Sequence, residues 1–328
     1  MQKDIVLINA GVKVKENTLL NGEKLKRLTD SAGFDEALEI INEYGYSNTA
    51  GEYERVLREA KTEAAAFLRD VCLPGYGLEC FLITNDYQNA KVFVKSKYAK
   101  NREGEVVASP SALESRGFLH LAALRGGIKN VNYTAFSPEL SGALIQIDDE
   151  FAKGKGSPGL ISVVLDKAMY GEIFRMLKAS RNAKEVAEYF RTKADFANIE
   201  TFLRCKRFGL DAGFYRQCLV EGGKVKTRAL SECYESNSLS LLLTGTPYEK
   251  FARTPYSGDL TLFETGRDNF LLNIFRINRA DLFSPAPVAG YYLARLTEIK
   301  MLDIIMTAKK NVLEKGELDK RIREMYFE

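Results

Sequence analysis

The chain of 328 residues is 45% hydrophobic, which is enough for two or three domains that each bury a core. Its 47 basic and 44 acidic residues give a net charge of +3 without a long block of one sign, so no nucleic-acid partner is indicated. No apolar run approaches the ~18 residues of a membrane span, and the N-terminal stretch lacks a convincing signal-peptide cleavage site. We therefore expect a cytoplasmic protein that is not inserted in a membrane.

Cysteine and histidine are scarce, which limits redox and metal chemistry. The cysteines are odd in number and form no CxxC pair, which predicts reduced, partly buried thiols at positions 72, 80, 205, 218 and 233. His120 is the only histidine, so a histidine-based metal site is excluded. Its apolar surroundings, GFLHLAAL, predict a core or edge residue within a helix.

Helix signals dominate along the chain. Apolar periodicity and helix propensity predict helices over 24–44 with a break near Gly33, and over 53–71, 160–179, 183–193 and 261–279. Helix starts are predicted at the capping box Ser111/Glu114, at Ser137-Pro138 and at Thr246-Pro247. A polar linker is expected at Lys100–Val107. Strand-like alternation is confined to Asp4–Asn9 and Leu144–Asp148, so we predict an all-α protein.

A twelve-residue pattern occurs three times, as DYQNAKVFVKSK at 86–97, DFANIETFLRCK at 195–206 and EIKMLDIIMTAK at 298–309. Each copy begins with a carboxylate and ends with lysine, and large apolar residues recur at the second, fifth, eighth and ninth positions. This spacing forms one face of a helix. The carboxylates Asp86, Asp195 and Glu298 are interpreted mainly as helix-capping or helix-dipole residues, with a structural or partner-binding role as the alternative.

The spacing of the copies predicts three domains. They start 109 and 103 residues apart, so three units nearly fill the chain. A weaker similarity relates Leu20–Tyr46 to Val220–Tyr248, since both end in a turn with tyrosine, and Leu113–Glu139 is a looser version. The predicted units are 1–104, 105–218 and 219–328.

No motif in the chain predicts catalysis or cofactor binding. Gly154–Gly159 matches GxGxxG, but it follows a charged segment instead of a strand, and Pro158 removes an N–H group, so a flexible loop is favoured. The acidic run Asp148-Asp149-Glu150 is interpreted as a solvated turn, with a divalent cation as the weaker alternative. The P-loop, GxSxG and HExxH motifs do not occur in the sequence. We assign no catalytic, cofactor-binding or metal-binding residue.

Four stretches together carry a resemblance to a known family. Ser284–Lys309, SPAPVAGYYLARLTEIKMLDIIMTAK, resembles the C-terminal signature of the C subunits of bacterial and archaeal V-type (A-type) ATP synthases, which are related to the d subunit of vacuolar ATPases. Asp86–Lys91, Asp195–Glu200 and Leu19–Tyr46 resemble other helices of that family in the same order. The chain departs from the usual family pattern at Ala90, Glu200, Met301 and Ala308. In the signature itself, Ala289, Gly290 and Ala294 are expected to permit close helix packing.

The resemblance implies an all-α protein of three similar helical domains arranged with pseudo-threefold symmetry as a funnel. It implies a non-catalytic rotor adaptor between the central stalk subunits and the membrane ring of ion-carrying subunits. Such an adaptor would lie on the cytoplasmic face, peripheral to the membrane. It would transmit torque between ATP hydrolysis or synthesis and proton or sodium transport.

Two other functions stay open from the sequence. One is a helical scaffold or interaction protein unrelated to ATPases, in which the repeat reflects periodicity alone. The other is an enzyme whose site is assembled from scattered carboxylates; it would require a deep polar pocket with converging acids of shifted pKa.

Overall fold

The computed structural model of the chain describes residues 4–46, 53–99, 113, 117–255 and 258–327. Regular secondary structure in these ranges is α-helical, and an isolated parallel bridge joins Asn21 to Phe327. This confirms the predicted all-α class. The two strand-like stretches lie largely within helices. The predicted linker at Lys100–Val107 and capping box at Ser111/Glu114 lie outside the described residues.

The helices are numbered in chain order. Their bounds are α1 Ile5–Glu16, α2 Gly22–Thr29, α3 Phe34–Glu43, α4 Tyr53–Val71, α5 Glu79–Tyr98, α6 Leu121–Asn130, α7 Pro138–Ala152, α8 Pro158–Ala179, α9 Lys184–Arg207, α10 Ala212–Cys218, α11 Thr227–Ser236, α12 Leu239–Leu243, α13 Glu249–Ala252, α14 Thr261–Arg276, α15 Ala286–Lys310 and α16 Lys315–Asp319.

Local sequence signals place several helix ends correctly. The predicted break near Gly33 separates α2 from α3, and Gly33 is the N-cap residue of α3. The Ser137 hydroxyl accepts a hydrogen bond from the Leu140 N–H, while Pro138 occupies the first turn of α7. Capping side chains satisfy N–H groups that have no partner inside the helix, so these boundaries are readable from short segments.

The described residues cluster into two compact units. Unit 1 draws on Met1–Leu78, Asn182–Tyr189 and Gly258–Glu328, and unit 2 on Glu79–Arg181 and Phe190–Ser257. In unit 1, α15 contacts α1, α2, α3, α4, α14 and α16. Leu302, Ile305 and Met306 of α15 join a core with side chains from α2, α3 and α4. Helices from both ends of the sequence therefore share one hydrophobic core.

Unit 2 contains α5–α8 and α10–α13, together with α9 from Phe190 onwards. Helix α5 packs on α6 and α8, and α7 packs on α8. Near the C-terminal end of α9, the Phe202 ring contacts the rings of Tyr215 and Tyr234 edge to face, with centroids 5.5 and 5.0 Å away. Tyr215 and Tyr234 stack on each other at 4.5 Å. Aromatic packing thus holds α10 and α11 against α9.

The apolar stripes of the three repeat copies are buried in the two units. All twelve side chains at the second, fifth, eighth and ninth positions are buried. They are Tyr87, Ala90, Phe93 and Val94 in α5; Phe196, Ile199, Phe202 and Leu203 in α9; and Ile299, Leu302, Ile305 and Met306 in α15. The helices that carry these copies, α5, α9 and α15, are called core helices below.

The C-terminal tail of unit 1 occupies a notch in α15. A Cβ atom at Gly290 would lie 2.4 Å from the Tyr326 hydroxyl and 3.2 Å from the Phe275 Cβ of α14. Gly290 thus permits the predicted close approach of a helix and also leaves room for the tail. The tail is held further by Arg323, whose Nε lies 3.2 Å from an Asp268 oxygen.

Replacement of Gly290 by alanine should destabilise unit 1 by about 1–3 kcal/mol, because the added methyl group overlaps Tyr326. The Tyr326 hydroxyl is buried without a hydrogen-bond partner among the described residues. Tyr326→Phe should therefore be neutral or stabilising, and it should reduce the cost of Gly290→Ala. Denaturant unfolding of both single variants and the double variant measures this coupling. Strictly additive free energies would contradict the proposed contact.

Candidate functional site

The three repeat carboxylates lie inside their helices, which corrects the capping interpretation. Helices α5, α9 and α15 begin seven to twelve residues before Asp86, Asp195 and Glu298. All three carboxylates are buried, so their charge has to be matched by hydrogen bonds. Each repeat lysine is the penultimate residue of its helix, where a positive charge is favourable for the helix dipole.

Asp195 binds the backbone just before helix α11. Its two carboxylate oxygens accept hydrogen bonds from the N–H groups of Lys224 at 3.0 Å and Val225 at 2.9 Å. The Tyr248 hydroxyl donates a further bond at 2.8 Å. Gly223 makes this approach possible, because a Cβ atom there would lie 2.1 Å from Asp195 Oδ1. The buried carboxylate thus accepts hydrogen bonds from three donors on two remote segments.

Asp86 makes the same attachment before helix α6. Its oxygens accept hydrogen bonds from the N–H groups of Phe118 at 2.8 Å and Leu119 at 3.1 Å. A Cβ atom at Gly117 would lie 2.0 Å from Asp86 Oδ1. Glycine therefore precedes the two donor residues in both aspartate copies, and for the same steric reason.

Glu298 repeats the attachment before helix α2 with a longer side chain. It accepts a hydrogen bond from the Leu20 N–H at 2.8 Å and another from the Tyr46 hydroxyl at 2.5 Å, and Arg295 pairs with it. Thr18 stands where the aspartate copies have glycine. The extra methylene of glutamate increases the reach, so the backbone need not approach as closely. Tyr46 and Tyr248, which end the two similar segments seen in the sequence, thus have the same role.

The repeat lysine binds the other end of the same short helix in two copies. The Lys206 ammonium donates to the Tyr234 carbonyl in the last turn of α11 at 2.7 Å. The Lys309 ammonium donates to the carbonyls of Thr29, the last residue of α2, at 2.8 Å and of Ser31. Eleven helical residues span about 16 Å, which matches a short helix and its flanks. We call each carboxylate and lysine pair on a core helix, with the segment it binds, an acid–lysine clamp.

The clamp contacts also show which helix dipole the carboxylate and the lysine complement. The carboxylate lies at the N-terminal side and the lysine at the C-terminal side of the bound short helix, α11 or α2. Negative charge near a helix N-terminus and positive charge near its C-terminus are both favourable. The twelve-residue pattern therefore complements the dipole of a second helix more fully than that of its own helix.

The lysine of the first clamp binds a carboxylate instead. Lys97 pairs with Asp148 of α7 at 2.8 Å, and Tyr98 and Tyr133 each donate a hydroxyl hydrogen bond to Asp148 at 2.5 Å. Burial alone would raise the pKa of Asp148, but these three donors outweigh it and hold the pKa below its usual range. The solvated-turn interpretation of Asp148 is therefore wrong.

Three residues after each of the other two clamp carboxylates, another buried side chain fixes the backbone. Asn198 donates to the Val220 carbonyl and accepts from the Val220 N–H, both at 2.9 Å. Met301 is at the matching position, and its sulfur accepts a hydrogen bond from the Arg323 N–H at 3.2 Å. Both contacts span 22 residues. Methionine thus retains one of the two hydrogen bonds that asparagine makes at this position.

Burial disfavours the ionised form of Asp195, the carboxylate of the second clamp. Burial raises the pKa of Asp195, against the Val225 and Lys224 N–H groups and the Tyr248 hydroxyl, which lower it. The carboxylate oxygens are directed at backbone and tyrosine donors of the same unit. Groups held in this way suit structural attachment better than proton transfer to a substrate.

One cavity lies beside the first clamp. It has a volume of about 340 Å³ and is lined by Asp86, Glu172 and Ser137 among mainly apolar side chains. Glu172 accepts hydrogen bonds from the hydroxyls of Tyr87 at 2.7 Å and Ser137 at 2.5 Å. Across the described residues, no group of three or more His, Cys, Asp or Glu side chains could hold a metal ion.

The glycine-rich motif joins two helices, as expected for a loop. Gly154 follows α7 with a φ of 73°, and Ser157 caps α8 through the Leu160 N–H at 3.1 Å. A Cβ atom at Gly156 would lie 2.2 Å from the Phe151 ring. These glycines serve a turn and a ring contact, whereas a dinucleotide fingerprint follows a strand.

The histidine prediction was wrong and the cysteine prediction is confirmed. His120 is the exposed N-cap residue of α6, and its ring accepts a weak hydrogen bond from the Ala122 N–H at 3.4 Å. All five cysteines lie among the described residues and none is in a disulfide, and Cys80, Cys205 and Cys233 are buried. Within the described residues, no helix has the length and apolar composition needed to cross a membrane.

The fold and the clamps define a helical-repeat protein in which a recurring geometry attaches short helices to long core helices. The chain belongs to the ATP synthase (C/AC39) subunit family, whose model matches residues 8–321. This family contains the subunits that the four sequence stretches resemble.

Curated relatives agree with this assignment. The chain is 20% identical to the V-type sodium ATPase C subunit of Enterococcus hirae, over 97% of this chain and 98% of the relative. It is 24% identical to the A-type ATP synthase C subunit of a Desulfurococcus species, over 97% and 89% of the two chains. A shorter match, 34% identical over 39% of this chain and 37% of the relative, is to the A-type ATP synthase C subunit of Thermococcus gammatolerans.

Alanine at Gly117 or Gly223 should destabilise unit 2 by about 1–3 kcal/mol, because the new Cβ atom would displace a clamp carboxylate. The matched control is Gly142→Ala in α7, where nothing lies within 4 Å of the added atom. That control should stabilise the protein by about 0.5–1 kcal/mol through helix propensity. Denaturant unfolding compares the three variants. Equal behaviour of clamp and control variants would rule out the steric role.

Asp148→Asn should make the free energy of unfolding less dependent on pH in the acidic range. Because the folded pKa is below the unfolded value, the carboxylate adds stability above an unfolded pKa of about 3.9. This contribution is lost as pH falls through the folded pKa, so wild type should lose more stability than the variant between about pH 5 and pH 2. Urea unfolding across this pH range measures the effect, with exposed Asp149→Asn as the control. Parallel curves for wild type and Asp148→Asn would contradict the assignment.

Proposed function

We propose that this protein is a non-catalytic rotor adaptor of a V-type or A-type ATPase. In this role it links the central stalk subunits to the membrane ring of ion-carrying subunits, on the cytoplasmic face and peripheral to the membrane. It transmits torque that couples ATP hydrolysis or synthesis to proton or sodium transport. The single observation that carries the proposal is the family match over residues 8–321.

The clamps support a mechanical role. A torque-bearing part must keep its helices in register, and close-packed interiors transmit strain because they compress little. Each clamp adds directional hydrogen bonds to a buried apolar stripe, so sliding of the short helix along the core helix would break them. Removal of one partner of a buried charged bond costs several kcal/mol, which makes such sliding unfavourable.

We further propose three similar domains arranged with pseudo-threefold symmetry as a funnel. Three clamps, on α5, α9 and α15, support the count of three. Each binds a helix that follows it in sequence or, for α15, the N-terminal helix α2. The division at 104/105 and 218/219 stays a prediction. The clamps favour domains that group each core helix with the short helix it holds.

No observation specifically favours the alternative function, a helical scaffold unrelated to ATPases. A repeat arising from periodicity alone would reproduce the apolar stripes. It would not account for three carboxylates, each bound just before the start of a short helix, or for a family match over nearly the whole chain. We therefore favour the rotor adaptor over an unrelated scaffold.

Reconstitution of the complete ATPase in vesicles, with and without this chain, tests the proposal. Omission should abolish ATP-driven ion transport and stalk–ring association, while the catalytic head retains ATP hydrolysis. Gly223→Ala should weaken coupling because it disturbs a clamp, whereas Gly142→Ala should behave as wild type. Coupled transport in the absence of the chain, or ATP hydrolysis by the chain alone, would refute the proposed function.

A further inference from the structure

The cavity beside the first clamp collects carboxylates without a cation among its described residues. It has a volume of about 340 Å³. Glu79, Asp86 and Glu172 line it, and no lysine or arginine does so among the residues that the structure describes. Buried charges in proteins are normally matched by an opposite charge or by several hydrogen-bond donors. The partners of each carboxylate therefore decide whether the cavity is suited to a ligand.

Glu172 of α8 has one carboxylate oxygen without a donor. The side chain is only 8% exposed and lines the cavity. Its Oε2 atom accepts hydrogen bonds from the hydroxyls of both Tyr87 and Ser137, whereas its Oε1 atom accepts none from the described residues. Because the side chain is otherwise buried, the cavity is the space from which a donor can reach Oε1. Buried oxygens normally have a donor, so a ligand with an N–H group fits this position.

Glu79, the first residue of α5, adds a second carboxylate without a partner side chain. It is partly buried and lines the same cavity. Burial raises the pKa of its carboxyl, against one hydrogen bond from its own N–H group. Glu79 and Glu172 lie on helices that pack on each other, α5 and α8. Two carboxylates from neighbouring helices therefore share one cavity.

The neighbouring groups do not neutralise this pair. The oxygens of Asp86 already accept hydrogen bonds from backbone N–H groups, which carry no net charge. Arg175 is close enough to interact with the charge of Glu172, but its guanidinium binds both oxygens of Glu139 and is largely exposed. The cavity thus has a negative charge that a bound cation would balance.

The hydrogen bonds and the walls of the cavity select the class of cation. A guanidinium binds both oxygens of a carboxylate through two parallel N–H groups, but Oε2 of Glu172 is already occupied by two hydroxyls. A primary ammonium carries three donors and needs one oxygen from each carboxylate. Ile83, Leu140 and Met176 add apolar walls, and the volume is at the small end of the range of about 300–1,000 Å³ for ligand pockets.

We propose that this cavity binds a primary alkylammonium ion, a small amine whose charged head donates to Oε1 of Glu172 and to Glu79. Its short alkyl chain lies against the apolar walls. The described lining belongs entirely to unit 2, so the proposal goes beyond the rotor role and does not depend on it. The bound ion links α5 to α8 and thereby stabilises the helix pair beside the first clamp.

Titration of the full chain with n-butylammonium chloride, followed by ligand-observed NMR, tests the proposal. The dissociation constant should be about 1 mM, because the ion has few atoms with which to make contacts. At a concentration about tenfold higher, the melting temperature should rise by about 1–3 °C over that in an equal concentration of NaCl. Glu172→Gln and Glu79→Gln should each weaken binding about tenfold, because each removes a charge-assisted hydrogen bond and preserves the side-chain shape.

Asp149→Asn is the matched control, since it removes the same charge from an exposed position in α7 outside the cavity lining. It should bind the probe as wild type does. Equal binding of n-butanol, which has no charge, or of tetramethylammonium, which has no N–H donor, would overturn the proposed recognition. Absence of binding by the folded wild-type chain would do the same, as would unchanged binding by the glutamine variants. Glu79→Gln decides the test if Glu172→Gln fails to fold, because Glu79 has no partner side chain among the described residues.

Discussion

A buried carboxylate on a core helix that binds the backbone of a remote segment is the constraint on which this structure depends. Asp86, Asp195 and Glu298 each sit inside a helix and satisfy N–H groups just before another helix begins. An ionised carboxylate is costly to bury unless donors surround it. The core helix can therefore bury its apolar face only when the N–H donors lie next to the carboxylate. This requirement couples hydrophobic burial to the position of the short helix.

The clamps show how one geometry is reached with different residues. Gly117 and Gly223 bring the backbone against an aspartate, whereas the longer Glu298 reaches a segment that has Thr18 at the corresponding place. Met301 occupies the position that corresponds to Asn198, and its sulfur is a weaker hydrogen-bond acceptor than the asparagine amide. A divergent member of the family can thus retain the same attachment, because side-chain length and backbone approach compensate for each other.

The same attachments suit the mechanical function proposed above. In the clamps on α9 and α15, the carboxylate and the lysine bind opposite ends of the short helix, so both resist its displacement along the core helix. In unit 1 the clamp joins Glu298 to Leu20 across 278 residues of sequence, so the two ends of the chain share one core. A protein that transmits force between partners needs such cross-links, and it needs them more than a catalytic cavity.

Sequence periodicity by itself determined the helices, the buried stripes and the three copies of the twelve-residue pattern, because a helix face depends only on local spacing. The similar segments ending in Tyr46 and Tyr248 were also visible. Only the tertiary structure decided what the carboxylates bind, since donors in the aspartate clamps lie about thirty residues away and leave no periodic signal. The sequence interpretations of Asp148 and His120 were wrong for the same reason. The partners and the exposure of these residues depend on which segments meet in space, and local spacing does not specify that.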